Sequence, residues 1–96
     1  MSAYCLFDVR EILDAEKMAQ YRRAVLSTVE RFDGCYVAAG GGCTVLEGDW
    51  HPVFPVILEF PSAEHARRWY NSPEYGRLKG LLQKAARFDA VLIEGF

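Results

Sequence analysis

The order of residues in this 96-residue chain predicts an α+β fold of the ferredoxin-like kind, βαββαβ, with an antiparallel sheet and both crossover helices on one face. Three observations predict it. Apolar strand-like runs at 3–10, 35–39, 53–60 and 90–94 alternate with amphipathic helical runs; the strand runs are apolar on both parities; and Gly, Pro, Asp and Ser cluster at the joints. Helices on one face leave the apolar residues of the other face bare, and a second copy of the sheet is the simplest cover. A homodimer through the open sheet face is therefore expected, with residues 1–96 forming a single domain.

Composition narrows the function classes. Hydrophobic residues make up 51% of the chain and aromatic residues 14%, which is too apolar for disorder and leaves surface for a partner. The net charge of −2 is spread without a basic stripe, so nucleic acid is not expected as a ligand. Cys5, Cys35 and Cys43 stand singly with no CxxC pair, which reads as reduced thiols in a cytoplasmic protein and argues against structural zinc. No run of about 18 uncharged apolar residues and no basic leader is present, so neither membrane spanning nor secretion is expected.

Residues 3–10 alternate with both parities largely apolar, as in a strand packed on each side. Asp14 is placed to cap a helix whose Met18, Tyr21, Val25, Leu26, Val29 and Phe32 form the buried stripe; Lys17, Arg22, Arg23 and Glu30 fall on the wet side. Asp33-Gly34 ends that helix, with glycine taking the left-handed position. A strand over 35–39 stops at Gly40-Gly41-Gly42, which suits a turn, a bulge or a close backbone approach. A phosphate cradle is disfavoured, since no GxGxxG or GxxxxGK(S/T) spacing is present and no helix follows. Residues 44–48 are expected to extend the strand, and Gly48 to Pro52 to turn the chain back.

The run 53–60 is apolar and branched enough for a central strand, irregular near Pro55. Ser62 caps a short helix through Tyr70. Ser72, with Pro73 at the first helical position, starts another that carries Tyr75, Leu78, Leu81, Leu82 and Ala85 inward as far as Arg87. Gly76 and Gly80 within it suggest close packing contacts.

The candidate site is an isolated polar set in apolar surroundings. Glu59, the single carboxylate of its strand, is the candidate catalytic base, since an apolar setting favours the protonated form; the competing role is a strand-end glutamate paired with an arginine. Asp49 and Trp50 could wall and orient a ligand, although a tryptophan there equally suits an anchor in a dimer interface. His51 could shuttle a proton or simply be an exposed loop residue, and His65 reads as solvated. Ser72 and Tyr75 could donate hydrogen bonds to a ligand, or serve as cap and packing residue. Tyr21 and Asp8 are weaker candidates. Cys43 has no evident thiolate stabiliser, and two histidines without HExxH spacing make no metal site.

At LEGDW (46–50), EFPS (59–62), SPEY (72–75), LK (78–79) and LIEG (92–95) the chain resembles the uncharacterised family called domain of unknown function thirteen-thirty, over nearly its whole length. The resemblance implies a dimeric alpha-beta barrel, two ferredoxin-like sheets face to face, with no agreed activity or cofactor. Its wider superfamily includes cofactor-free monooxygenases, isomerases and dehalogenating enzymes acting on small organic molecules, an analogy of fold that does not fix function. The resemblance also implies arginines at two positions where this chain has Ala39 and Leu82, so an anionic anchor present in relatives would be missing. The expectation is a homodimer that binds a small organic molecule between sheet and helices, with any chemistry cofactor-free and acid-base in kind. The competing expectation is a non-enzymatic structural or interaction dimer without a small-molecule substrate.

Overall fold

Strand β1, Ala3–Ile12, runs through the middle of a four-stranded sheet in the computed structural model, which describes residues 1–96. The other elements are α1 (Ala15–Arg31), β2 (Cys35–Ala39), β3 (Pro55–Phe60), α2 (Ala63–Tyr70), α3 (Pro73–Ala85) and β4 (Ala86–Glu94). Strand order is β2-β3-β1-β4 with antiparallel neighbours throughout, the split βαβ topology of a ferredoxin-like fold.

Each helix begins as its cap residue dictates. The Asp14 carboxylate accepts from the Lys17 amide at 3.0 Å, Ser62 Oγ from the His65 amide at 3.1 Å, and Ser72 Oγ from the Tyr75 amide at 3.1 Å. Helix α1 ends differently from the expectation. Asp33, not Gly34, takes the left-handed conformation, with φ 64°, and the Gly34 amide closes back on the Val29 carbonyl at 3.0 Å. Gly34 is needed for space, because a Cβ there would run into the Phe60 ring.

The register assigns each strand residue to a face. Ala3, Cys5, Phe7 and Val9 of β1 share the helix side with Val56, Leu58 and Phe60 of β3, and all of β1's four are buried. Trp69 is the centre of this core, fully buried, with ring centroids 4.1 Å from Tyr75, 5.4 Å from Phe60 and 6.3 Å from Phe7. Its indole N–H donates to Thr28 Oγ1 at 3.0 Å, so α2 is tied to α1 through the one polar atom of the tryptophan side chain.

Tyr4, Leu6, Ile57, Glu59, Val91 and Ile93 point to the opposite face, where no element of the chain covers them. Val91 and Ile93 are each about half exposed, at 53% and 49%. The molecule is correspondingly flat, 37 × 34 × 16 Å, the thickness of one sheet and one helix layer.

Four local expectations need correction. Residues 44–48 form no strand; the whole stretch 41–51 is exposed and irregular, because it pairs with nothing. Strand β4 starts at Ala86 rather than 90, and α3 stops at Ala85. Pairing of Ala86 with Ile12 and of Arg87 with Glu11 overrides the helix preference of the Ala-Ala-Arg run. Gly76 and Gly80 have open space around them instead of a packing partner. Leu26, assigned to the buried stripe, is 47% exposed.

Candidate functional site

An apolar concavity lies on the helix side of the sheet, between α1 and the β3–β2 edge, with a volume of about 350 Å³. Its floor is Phe7, Val9, Val56 and Leu58 from the inner strands, with Tyr36 and Ala39 from β2. Met18, Tyr21, Val25 and Leu26 of α1 form the wall, Leu82 closes one end from α3, and Phe54 stands at the other. Twelve of the thirteen lining residues are hydrophobic, and the remaining one is Arg22. Ala39 and Leu82, the positions where the family resemblance implies arginine, both face this cavity and make it more apolar.

The local fold explains why the cavity exists. Gly40, with φ +70°, lets the Phe54 ring lie directly against the backbone at the end of β2, where any Cβ would collide with it. The Gly40 amide donates to the Pro55 carbonyl at 2.8 Å and completes the neck of the long β2–β3 connection. The Arg22 guanidinium stands over the Phe54 ring, 5.6 Å from its centroid.

Asp8 secures the same neck from the other face of the sheet. One carboxylate oxygen accepts from the Val53 and Phe54 amides, both at 2.9 Å. The other is buried without a hydrogen-bond partner, and its nearest cation, Arg10, is 3.8 Å away, too far for a hydrogen bond. Arg10 is shared with Asp89 at 3.6 Å. Asp8 thus fixes the backbone that aims Phe54 into the cavity, a role invisible in sequence because residues 8 and 53–54 lie far apart in the chain.

Beneath the cavity, the Tyr21 and Tyr75 hydroxyls meet at 3.0 Å, both rings buried. Burial raises both phenols above the ordinary tyrosine range, and for Tyr21 the neighbouring Tyr75 adds to the rise. The pair therefore stays neutral at physiological pH and can donate but not carry charge. Burial also raises Tyr36, which lines the cavity.

The residues expected to form one polar set are dispersed. Glu59 lies on the open face opposite Tyr4 and Cys35, where its carboxylate accepts a long 3.4 Å hydrogen bond from the Tyr4 hydroxyl. Tyr75 is under the helices, on the other side of the sheet. Asp49, Trp50 and His51 sit in the exposed β2–β3 connection, with Trp50 56% exposed. Ser72 is buried and fully used: its hydroxyl donates to the Trp69 carbonyl at 2.7 Å while capping α3. His65, expected to be solvated, is partly buried, with Nδ1 2.7 Å from Ser62 Oγ and Nε2 3.8 Å from the Asp33 carboxylate. The Cys5 thiol is buried and pushed up to about 11 by desolvation, so it is unreactive near neutrality; Cys35 and Cys43 are exposed. In sequence Arg22 falls on the wet face and Phe54 carries no site signal; only the closure of α1 on the β2 edge puts them beside one cavity.

Solved structures share this architecture at low identity. A protein of unknown function from Rhodopseudomonas palustris is 23% identical, with 99% of this chain and 82% of that chain covered at a TM-score of 0.75. A dimeric ferredoxin-like protein of unknown function from Jannaschia sp. CCS1 is 12% identical, covered over 99% of this chain and all of its own, at 0.71. SnoaB, a cofactor-independent oxygenase from Streptomyces nogalater, is 14% identical, with 99% and 91% covered, at 0.58. At such identities the likeness is one of fold. Comparison with curated proteins finds no match. The family itself is shown by sequence, since its model matches residues 2–96: the chain belongs to the family described as Domain of unknown function (DUF1330).

Proposed function

We propose that this protein is a homodimer, paired through its open sheet face, in which each chain holds a small apolar organic molecule between α1 and the sheet. The observation that carries the binding part is the cavity of about 350 Å³ with twelve hydrophobic lining residues, a size and character suited to a small aromatic or alicyclic body. The observation that carries the pairing part is the uncovered row of Leu6, Ile57, Val91 and Ile93. The likeness to a dimeric ferredoxin-like protein supports the pairing, and the likeness to a cofactor-independent oxygenase supports a small organic ligand.

Any cofactor-free acid-base chemistry by Glu59 belongs to the space between paired sheets, because its carboxylate is separated from the cavity by the sheet itself. Trp50 is 56% exposed in the β2–β3 connection with Asp49 and His51, which leaves it free for the anchor role. Ser72 and Tyr75 serve the ligand indirectly, by holding Tyr21 and the cavity wall in place.

A thermal-shift screen with naphthalene- and indane-sized compounds tests the binding part. Wild type is expected to be stabilised, and Ala39→Trp, which places an indole in the cavity from the β2 wall, is expected to lose the response while folding normally. An equal response in both proteins would sink the cavity as the binding site. The non-enzymatic alternative is separated by Trp50→Ala: loss of the dimer with no ligand response in any form supports a purely associative protein.

A further inference from the structure

The cavity has a single charge at its rim, and that charge is unused. Arg10, Arg31, Arg67, Arg68 and Arg87 each face a carboxylate within 3.8 Å. Arg22, the only charged residue among those lining the cavity, faces none; Arg23 and Arg77 are likewise unpaired but line no part of it. Contrast Arg67, at the rim of a smaller recess of about 250 Å³ between α2 and β4, whose guanidinium is engaged by Glu94 at 3.8 Å.

Arg22 is also held in position. Its guanidinium stands 5.6 Å from the centroid of the Phe54 ring, a face fixed in turn by Gly40 behind it and by Asp8 through the Phe54 amide. A guanidinium within about 6 Å of an aromatic face is drawn to that face, and its fork of N–H donors can meet a planar carboxylate through two parallel hydrogen bonds.

We infer that the ligand of this site is an amphiphilic monocarboxylate, an aromatic or alicyclic body in the cavity with its carboxylate on Arg22. The inference rests on the binding role proposed above and adds the charge and polarity of the ligand. A carboxylate fits better than a phosphate, because one guanidinium supplies a single positive charge and the remaining twelve lining residues are hydrophobic; a phosphate dianion needs more donors and more charge than the rim provides. With apolar Ala39 and Leu82 in the interior, the anion is left at the rim.

The test compares 1-naphthoate with its neutral isostere 1-naphthamide by calorimetric titration on wild type, Arg22→Gln and Arg22→Lys. Wild type is expected to prefer the acid by about tenfold at low salt, with the preference shrinking as salt rises. Arg22→Gln brings the ratio of the two affinities to about one, and Arg22→Lys, a point charge without the fork, retains part of it. Equal affinity for acid and amide in wild type, or a preference that survives in Arg22→Gln, overturns the inference and leaves the cavity reading standing. Tighter binding of 1-naphthyl phosphate than of 1-naphthoate overturns the choice of carboxylate. Failure of both naphthoate and naphthamide to bind overturns the inference together with the cavity reading.

Discussion

The two faces of the same four strands differ in how completely the chain satisfies them. On the helix side, apolar residues of β1 and β3 meet Trp69, Tyr75 and Leu82, and nearly every side chain is buried. On the other side, residues of the same types, often one position along the same strands, stay half exposed. Side chains alternate across a strand, so a sequence apolar on both parities commits to two buried faces while the chain supplies helices for only one. The fold of one copy thus accounts for only one of the two apolar faces.

The comparison breaks most severely at its centre. Trp69→Ala removes the ring that joins β1, β3, α1 and α3, and should cost about 3–5 kcal/mol in denaturant unfolding. A loss below about 1 kcal/mol would mean that the cluster is not the core's keystone.

Asp8→Ala comes next, because it strips the Val53 and Phe54 amides of their shared acceptor. About 2 kcal/mol should be lost, and affinity for cavity ligands should fall with it, since Phe54 is no longer aimed. Asp8→Ala with native affinity would show that the neck positions itself without the carboxylate.

Alkaline titration sharpens the contrast without mutation. Tyr21 and Tyr75 are raised by burial, and Cys5 is pushed up to about 11. A folded value above the unfolded one means that the folded chain holds its proton longer. Their stabilisation is therefore complete below about pH 9 and fades as pH climbs toward the raised values. Unfolding stability should decline above about pH 9–10, and two tyrosines should resist ionisation in ultraviolet titration until the chain unfolds. Two thiols, Cys35 and Cys43, should react with a disulfide reagent in the native state, and Cys5 only after denaturation.

The smallest effect on folding and the largest on assembly is expected from Val91→Arg combined with Ile93→Arg. Both side chains are half exposed in one copy, so monomer stability should change by less than about 0.5 kcal/mol. Sedimentation at micromolar concentration should shift from dimer to monomer. A wild-type monomer under the same conditions would remove the pairing proposal altogether.

How much of this was readable in sequence depends on the range of the interaction involved. The helix starts at Asp14, Ser62 and Ser72 were legible because a cap acts within three residues. The βαββαβ order followed from periodicity, and the bare face from apolar residues on both parities. Start points set by pairing were not legible: β4 begins at Ala86 because Ile12 is opposite it, against the local preference for helix. The site was the least legible. Glu59 stood out chemically in a linear reading, yet one step of alternation put it across the sheet from Tyr75. Arg22 looked like an ordinary solvent-facing charge until the fold set Phe54 and Ala39 beside it.

In the proposed assembly the two faces do separate work, ligand on the helix side and a second copy on the other. Titrating 1-naphthoate into wild type, Ala39→Trp and the Val91→Arg, Ile93→Arg double variant tests it most directly. Binding should vanish in Ala39→Trp and persist in the double variant at one site per chain. Binding lost in the double variant but retained in Ala39→Trp would put the ligand between the sheets and contradict the account.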